Sequence, residues 1–406
     1  MRNRIASLLL GTALALGASA TAMAQDKAVK IGVLTDLSGL YADLGGPGAV
    51  VAAQMAVEDS GMAAKGWKLD VISADHQNKP DIGTSIARQW IDVDKVDVLM
   101  DVLNSGVALA VNNVVREKNA VMINSGAATS DLTNAQCSPN TVHWTYDTYM
   151  LAHSTGQALV KAGGDTWFFL TADYAFGHAL ERDTAAVVVA AGGKVIGSVK
   201  HPLNTADFSS FLLQAQASKA KIIGMANGGG DTTNTIKQAA EFGIVSGGQK
   251  LAGLLLFLSD VHSLGLKVAQ GLNFTETFYW DLNDQTRAFS KRFAERMKSK
   301  AMPTMVQAGV YAGLLHYFKA LEAIGGNPHD GAKVVAKMKE LPTDDPLFGK
   351  GTIRADGRKL HPAYLFEVKS PAESKGPWDY YKLVGTTSAD QAFRPLSESA
   401  CPLVKK

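Results

Sequence analysis

Residues 29–34 read VKIGVL, and a loop rich in Ser and Gly separates them from a helix-like stretch that runs from about Gly46 to Asp59. A short apolar run followed by a longer amphipathic one indicates a strand and then a helix. The same pattern returns in the next 65 residues. It predicts strands at 69–72, 96–100 and 121–123 and helices at about 84–93 and 107–118. Strands that alternate with helices imply a parallel sheet covered on both faces.

A second array of the same kind begins at residue 166. Its predicted strands are 166–170, 195–199 and 221–225, its predicted helices are about 179–191, 208–218 and 232–242, and the runs 251–258 and 272–279 complete it. Two such arrays in one chain of 406 residues predict an α/β protein with two doubly wound parallel-sheet domains. The cleft between such domains is the natural ligand site.

Beyond Tyr279 the pattern becomes helical, at 286–300 and 304–324, before a strand-like run returns at 362–368. This order predicts a chain that crosses between the domains more than once, which makes a hinge suited to closure around a ligand. The predicted division is a first α/β domain of residues 25–146 plus about 281–350, a second of 147–280 plus about 351–390, and a C-terminal tail of 391–406.

The N-terminus has the pattern of a Sec signal peptide. Arg2 and Arg4 precede an apolar run from Ile5 to Leu16, and the small-x-small sequence that ends at Ala24 suits signal peptidase. The run is too short to span about 30 Å of hydrocarbon. We therefore expect residues 1–24 to be removed by cleavage after about Ala24 and the mature protein to lie in the periplasm.

Charge and cysteine content narrow the possible partners. The signal peptide holds two of the 40 basic residues and none of the 38 acidic ones, so the formal net charge of the mature chain is zero. The mature chain therefore has no broad positive electrostatic field that would attract nucleic acid or anionic lipid. Cys137 and Cys401 lie close to prolines in polar surroundings, and in an oxidising compartment we expect them to form a disulfide; the alternative is two free thiols. We expect a monomer with no metal and no cofactor.

Several segments in order resemble the type I periplasmic binding proteins of the leucine/isoleucine/valine receptor family, over essentially the whole mature chain. These segments are IGVL at 31–34, DLSG at 36–39, DHQNKP at 75–80, MINSGAAT at 122–129 and DYAFG at 173–177. The resemblance implies the capture subunit of an ABC importer, which closes on a small carboxylate and docks on a membrane permease. An enzyme is not expected, because the chain has no Gly-x-Ser-x-Gly elbow and no His-Glu-x-x-His motif.

The resemblance also implies how a ligand carboxylate is held. A serine and backbone N–H groups of two first-domain loops match Ser105 with Gly106 and the stretch that contains Gly126, Ala127 and Ala128. Independently of the resemblance, Ser105 follows a strand and precedes a helix, so its hydroxyl and the first free N–H groups would face an anion. Ser105 could instead be only the N-cap of that helix. In the second loop, a one-residue slip in register stays open.

The second domain is expected to cover the apolar part of the ligand. The resemblance assigns this role to Phe176, with Tyr174 beside it, and Tyr41 and Tyr149 are further candidates; ordinary packing is the alternative for each aromatic residue. Two polar residues of a glycine-rich loop, Asn227 and Asp231, could hydrogen-bond a distal hydroxyl of the ligand. For Asp231 the alternative is the N-cap of the helix that follows.

One departure from the amino acid receptors bears on the ligand. Where those receptors carry a glutamate that holds the ligand's ammonium group, residues 253–258 read GLLLFL, and the next acid is Asp260. A buried ammonium group without a carboxylate partner is strongly disfavoured. We therefore expect an aromatic acid, such as a benzoate or hydroxycinnamate derivative. The alternatives are a branched-chain or other amino acid in the same role, and a ligand-sensing receptor domain.

Overall fold

The computed structural model describes residues 27–405. The predicted signal peptide at 1–24 lies outside these residues. The strands are β1 Ala28–Thr35, β2 Lys68–Asp75, β3 Val98–Asp101, β4 Val121–Asn124, β5 Thr141–His143, β6 Thr166–Ala172, β7 Lys194–His201, β8 Ile222–Ala226, β9 Lys250–Gly253, β10 Asn273–Glu276, β11 Thr343–Asp345, β12 Gly349–Gly351, β13 Ala363–Val368 and β14 Tyr381–Thr387.

The helices lie between these strands, except α14, which follows the last of them. They are α1 Gly46–Asp59, α2 Pro80–Gln89, α3 Ser105–Glu117, α4 Thr148–Leu151, α5 Gln157–Lys161, α6 Ala175–Ala190, α7 Ser209–Ala217, α8 Gly230–Glu241, α9 Leu258–Leu264, α10 Leu266–Ala269, α11 Asp284–Arg296, α12 Met305–Ala323, α13 Gly331–Glu340 and α14 Ala389–Ala392. A π-helical turn, Ala152–Gly156, joins α4 to α5, and another, Trp90–Asp94, extends α2.

The first sheet is parallel throughout and has the order β2-β1-β3-β4-β5. Helices cover both of its faces. In β3, Val98 and Met100 join the hydrophobic cluster that includes residues of α1 and α12, whereas Leu99 joins the cluster of α2 and α3. Successive side chains of a strand point to opposite faces, so every residue of this short strand is buried. This is the expected doubly wound arrangement.

The second sheet is also parallel, with the order β7-β6-β8-β9. Strand β10 lies against β9 and pairs with β13, which pairs with β14 in an antiparallel sheet. Between β10 and β13 the chain returns to the first sheet, where α12 packs against α1, β3 and β4. The chain therefore passes between the two sheets more than once. The α/β fold with two parallel sheets is confirmed.

Cys137 and Cys401 form a disulfide with their Cα atoms 5.6 Å apart, as the sequence predicts. The bond joins residues 264 positions apart. It therefore fixes the C-terminal tail to the segment between β4 and β5.

Candidate ligand-binding site

A pocket lies where the carboxyl ends of both parallel sheets meet, and its unfilled space of about 270 Å³ includes solvent at its mouth. Every residue that lines it follows one of these strands, which is the general location of ligands in open parallel sheets. The lining residues are Tyr41 and Leu44 after β1, Leu103 and Ser105 after β3, Gly126 and Ala128 after β4, Tyr146 after β5, Tyr174 and Phe176 after β6, Gly228 after β8 and Leu255 after β9.

The hydroxyl of Ser105 is available to the pocket because another residue caps the helix. Asn104 is the N-cap of α3, and its Oδ1 accepts from the N–H groups of Gly106 at 2.9 Å and Val107 at 3.1 Å. Ser105 Oγ accepts from the N–H of Thr129 at 3.2 Å, which leaves the hydroxyl proton free to donate. The N-cap interpretation of Ser105 is wrong. Gly106 does not line the pocket, and its N–H is engaged in the cap.

The loop after β4 alternates between pocket and core. Gly126 and Ala128 line the pocket, whereas the N–H of Ala127 donates to Asn124 Oδ1 at 3.2 Å and Ala127 packs in the cluster behind the loop. Within residues 27–405, no hydrogen bond engages the N–H of Ala128. The loop thus presents one free backbone donor next to the Ser105 hydroxyl. Ala127 does not belong to the lining.

Gly126 is required by close packing. A Cβ at this position would lie 2.5 Å from Asp101 Oδ1 and 2.6 Å from Leu103 Cδ1, distances that real Cβ atoms do not show. Behind the glycine, the Asp101 carboxylate is fully buried and accepts from Thr35 Oγ1 at 2.7 Å and Ser125 Oγ at 3.2 Å. Burial penalises its charged form and raises the pKa of Asp101 to about 7.

Aromatic and aliphatic side chains form the rest of the wall. The hydroxyls of Tyr41 and Tyr174 lie 2.7 Å apart and join the two sheets' loops across the pocket. Phe176 and Leu255 are both buried beside Gly228. The sequence analysis missed Leu44, Leu103, Tyr146, Gly228 and Leu255 as lining residues.

Asn227 and Asp231 lie outside the lining and have structural hydrogen bonds. Asn227 is fully buried between His201, Thr232 and Thr235, at 3.2, 2.8 and 3.2 Å. Asp231 accepts from the backbone N–H groups of residues 204 and 205 at 3.1 and 2.9 Å, and the N-cap of α8 is Gly229. The structure therefore supports neither a ligand contact nor the N-cap interpretation for Asp231.

Tyr149 also lies away from the pocket. Its ring stacks on His153 with the centroids 4.0 Å apart, and the guanidinium of Arg394 lies 4.6 Å from its centroid. The alternative of ordinary packing fits this tyrosine.

None of the eleven lining residues has a charged side chain. Asp260, the first acid after the apolar segment 253–258, accepts from the N–H of Phe257 at 2.9 Å at the start of α9. Burial raises the pKa of Asp260 to about 7. Among residues 27–405, no three His, Cys, Asp or Glu side chains group as metal ligands would. No charged side chain lines the pocket, and its open hydrogen-bond donors include the Ser105 hydroxyl, the N–H of Ala128 and the tyrosine pair.

No helix between residues 27 and 405 is both long and apolar enough to cross a membrane. A family model described as periplasmic binding protein matches residues 28–377. A solved periplasmic binding protein from Burkholderia mallei is 52% identical, with a TM-score of 0.90 over 93% of this chain and 100% of that one.

Two further solved structures are similar. A branched-chain amino acid ABC transporter periplasmic ligand-binding protein from Burkholderia xenovorans LB400 is 43% identical, with a TM-score of 0.81 over 93% of this chain and 100% of that one. An ABC transporter solute-binding protein from R. palustris, solved in complex with benzoate, is 24% identical, with a TM-score of 0.79 over 89% of this chain and 97% of that one. The chain thus belongs to the periplasmic binding protein family, and it is a binding protein rather than an enzyme.

Proposed function

We propose that the chain is the periplasmic capture subunit of an ABC importer and that its ligand is a small carboxylate with an aromatic body. The proposal includes export through the signal peptide at 1–24, a monomeric state and transient docking on a permease. One observation carries the ligand class: the pocket combines free donors at Ser105 and Ala128 with apolar and aromatic walls and has no charged lining residue.

The donors suit an anion. Ser105 is the first residue of α3, so a carboxylate there also meets the positive end of the helix dipole. Hydrogen bonds to a charged group contribute about 1.5–3 kcal/mol each. A carboxylate can therefore be bound without a cationic side chain.

The same wall disfavours an α-amino acid. An ammonium group in this pocket would have to give up water without gaining a carboxylate partner, which costs several kcal/mol. Leu255 stands at the pocket wall in the segment where the resemblance expects an acid. The description of the B. xenovorans relative keeps branched-chain amino acids as the competing ligand class. The R. palustris complex supports only that this fold accommodates benzoate.

Thermal unfolding tests the ligand class. The purified mature protein is melted with benzoate, 4-hydroxybenzoate, 4-hydroxycinnamate, hexanoate or leucine. A ligand that binds only the folded state raises the melting temperature by mass action. We expect a rise with the aromatic acids and none with leucine. A rise with leucine and none with any aromatic acid would refute the proposal.

A variant tests the carboxylate contact. Ser105→Ala removes one hydrogen bond to a charged group, so affinity for the aromatic acid should fall about 10- to 150-fold. Ser210→Ala, an exposed position on α7, is the matched control and should bind like the wild type. Equal affinities for the Ser105 and Ser210 variants would contradict the assigned carboxylate end.

A further inference from the structure

We propose that the hydroxyl pair of Tyr41 and Tyr174 recognises a hydroxyl group on the ligand's ring, so that the protein prefers hydroxylated aromatic acids to unsubstituted ones. This inference rests on the proposed function, because it assigns the second polar end of the same pocket. The tyrosine pair takes the role that the sequence suggested for Asn227 and Asp231, whose polar groups are already hydrogen-bonded within the protein.

The tyrosine pair belongs to a different part of the wall from the carboxylate donors. A Cβ on Gly228 would lie 3.5 Å from Leu255 Cδ2, 3.6 Å from Phe176 Cε1 and 3.9 Å from Tyr41 Cε1, so these three side chains surround the glycine. A Cβ on Gly126 would instead meet Asp101, the last residue of β3, and Leu103 in the loop that follows. The two glycines therefore border different side chains of the wall, and we assign the carboxylate to the part near Gly126 and the ring hydroxyl to the part near Gly228.

The pair has unused hydrogen-bonding capacity. Two phenol groups carry two protons, and their mutual hydrogen bond at 2.7 Å uses one. Within residues 27–405, neither hydroxyl has another hydrogen-bond partner. Burial raises the pKa of both phenols, so both protons remain bound at neutral pH. One O–H donor and several acceptor lone pairs are left for a ligand.

This combination matches a hydroxyl group better than any other small substituent. A hydroxyl both donates and accepts, so it can take the free proton of one phenol and donate to the other oxygen. A ligand without it leaves the remaining phenol proton buried and unpaired, and an unsatisfied buried donor costs binding free energy. Sites that hydrogen-bond a ligand hydroxyl discriminate against the analogue that lacks it.

Gly228 provides the space for the substituent. An added Cβ there would make only ordinary van der Waals contacts, so the position tolerates alanine without disturbing its neighbours. The space at Gly228 and the phenol pair lie together, since Tyr41 borders both. A ring hydroxyl at this end would reach the phenols while the carboxylate remains at Ser105.

Calorimetric titration of the wild type, Tyr41→Phe, Tyr174→Phe and the double variant with benzoate and with 4-hydroxybenzoate tests the assignment. The wild type should bind 4-hydroxybenzoate at least about tenfold more tightly than benzoate. This preference should stay below the largest ones known for recognition of a ligand hydroxyl, because the two phenols already form one hydrogen bond with each other. Each single phenylalanine variant keeps one phenol that can still bond the ligand hydroxyl, so it should lose only part of that preference. The double variant Tyr41→Phe/Tyr174→Phe should lose most of it, while benzoate affinity changes less than about threefold.

Tyr364→Phe is the matched control, because Tyr364 lies in β13 away from the lining; it should keep the full preference. Equal losses of both acids in the pocket variants would mean that the phenols either hold the carboxylate or act only by joining the loops of the two sheets, and either result would overturn the assignment. Tight benzoate binding with no preference for the hydroxyl would refute this inference and leave the proposed function standing. Binding of leucine and of neither acid would refute both.

Discussion

Asp183→Asn should weaken ligand binding although Asp183 does not line the pocket. This carboxylate of α6 accepts from Ser130 Oγ at 2.7 Å and Thr148 Oγ1 at 2.6 Å, and it pairs with Arg182 at 3.1 Å and Arg394 at 3.5 Å. Ser130 continues the loop that lines the pocket after β4, whereas α6 follows the second sheet. The network therefore joins the two sheets' loops beside the site.

The size of the effect follows from the burial of each partner. Hydrogen bonds to a charged group contribute about 1.5–3 kcal/mol, and Asp183 is only 6% exposed. The Arg182 side chain is 50% exposed, so its ion pair adds less than about 1 kcal/mol. If the network forms only when the loops of the two sheets close around the ligand, the asparagine variant should lose about 1.5–3 kcal/mol of binding free energy. That loss is a roughly 10- to 150-fold weaker affinity.

Titration calorimetry and stopped-flow dissociation with 4-hydroxybenzoate measure this effect. Closure acts after encounter, so the dissociation rate should rise while the association rate stays within about threefold. Asp173→Asn is the control, because Asp173 is exposed and pairs with His178 and Lys200 at the surface. Its affinity should match the wild type. A lowered melting temperature with unchanged affinity would show that the network exists in the open state too, and the reasoning would fail.

Three further outcomes are expected. Gly126→Ala should weaken 4-hydroxybenzoate binding at least about fivefold in titration calorimetry, because the new methyl cannot fit without moving the loop, whereas Gly228→Ala should keep the wild-type melting temperature. Replacing Cys137 and Cys401 by serine should cost about 2–5 kcal/mol of unfolding free energy in urea titrations; a loss below 1 kcal/mol would contradict this. Asp101→Asn should raise the melting temperature relative to the wild type more at pH 8 than at pH 4.5. The pKa of Asp101 is about 7 in the folded protein and lower in the unfolded chain, so the wild type loses stability as the pH rises from the unfolded-state pKa to 7. A difference in melting temperature that does not depend on pH would refute this prediction.

The sequence was sufficient for the parts of the fold that depend on local patterning. Helix α1 occupies the predicted residues 46–59, and each early strand lies within a few residues of its apolar run. The helical segment 148–161 was missed, because polar residues and Gly156 interrupt its apolar pattern at a π-helical turn. Helix α13 was missed as well, although Asp330 provides an N-cap signal, accepting from the N–H of Lys333.

The sequence predicted a site residue correctly only where the position of that residue follows from the strand directly before it. Ser105 and Phe176 each follow a strand of a parallel sheet, and such positions meet at the carboxyl edge. Asp231 shows the opposite case: its partners are backbone groups of the segment after β7, and no local pattern indicates that this segment folds back onto α8. Leu255 lines the pocket through the packing of two sheets, which periodicity does not encode.

A crystal structure of the mature protein grown with 4-hydroxybenzoate tests the central claim most directly. The account predicts a carboxylate about 3 Å from Ser105 Oγ and from the N–H of Ala128, the ring against Phe176 and Leu255, and the ring hydroxyl within hydrogen-bond distance of Tyr41 or Tyr174. An acid bound outside this pocket, or one whose carboxylate lies on the tyrosine pair, would contradict it.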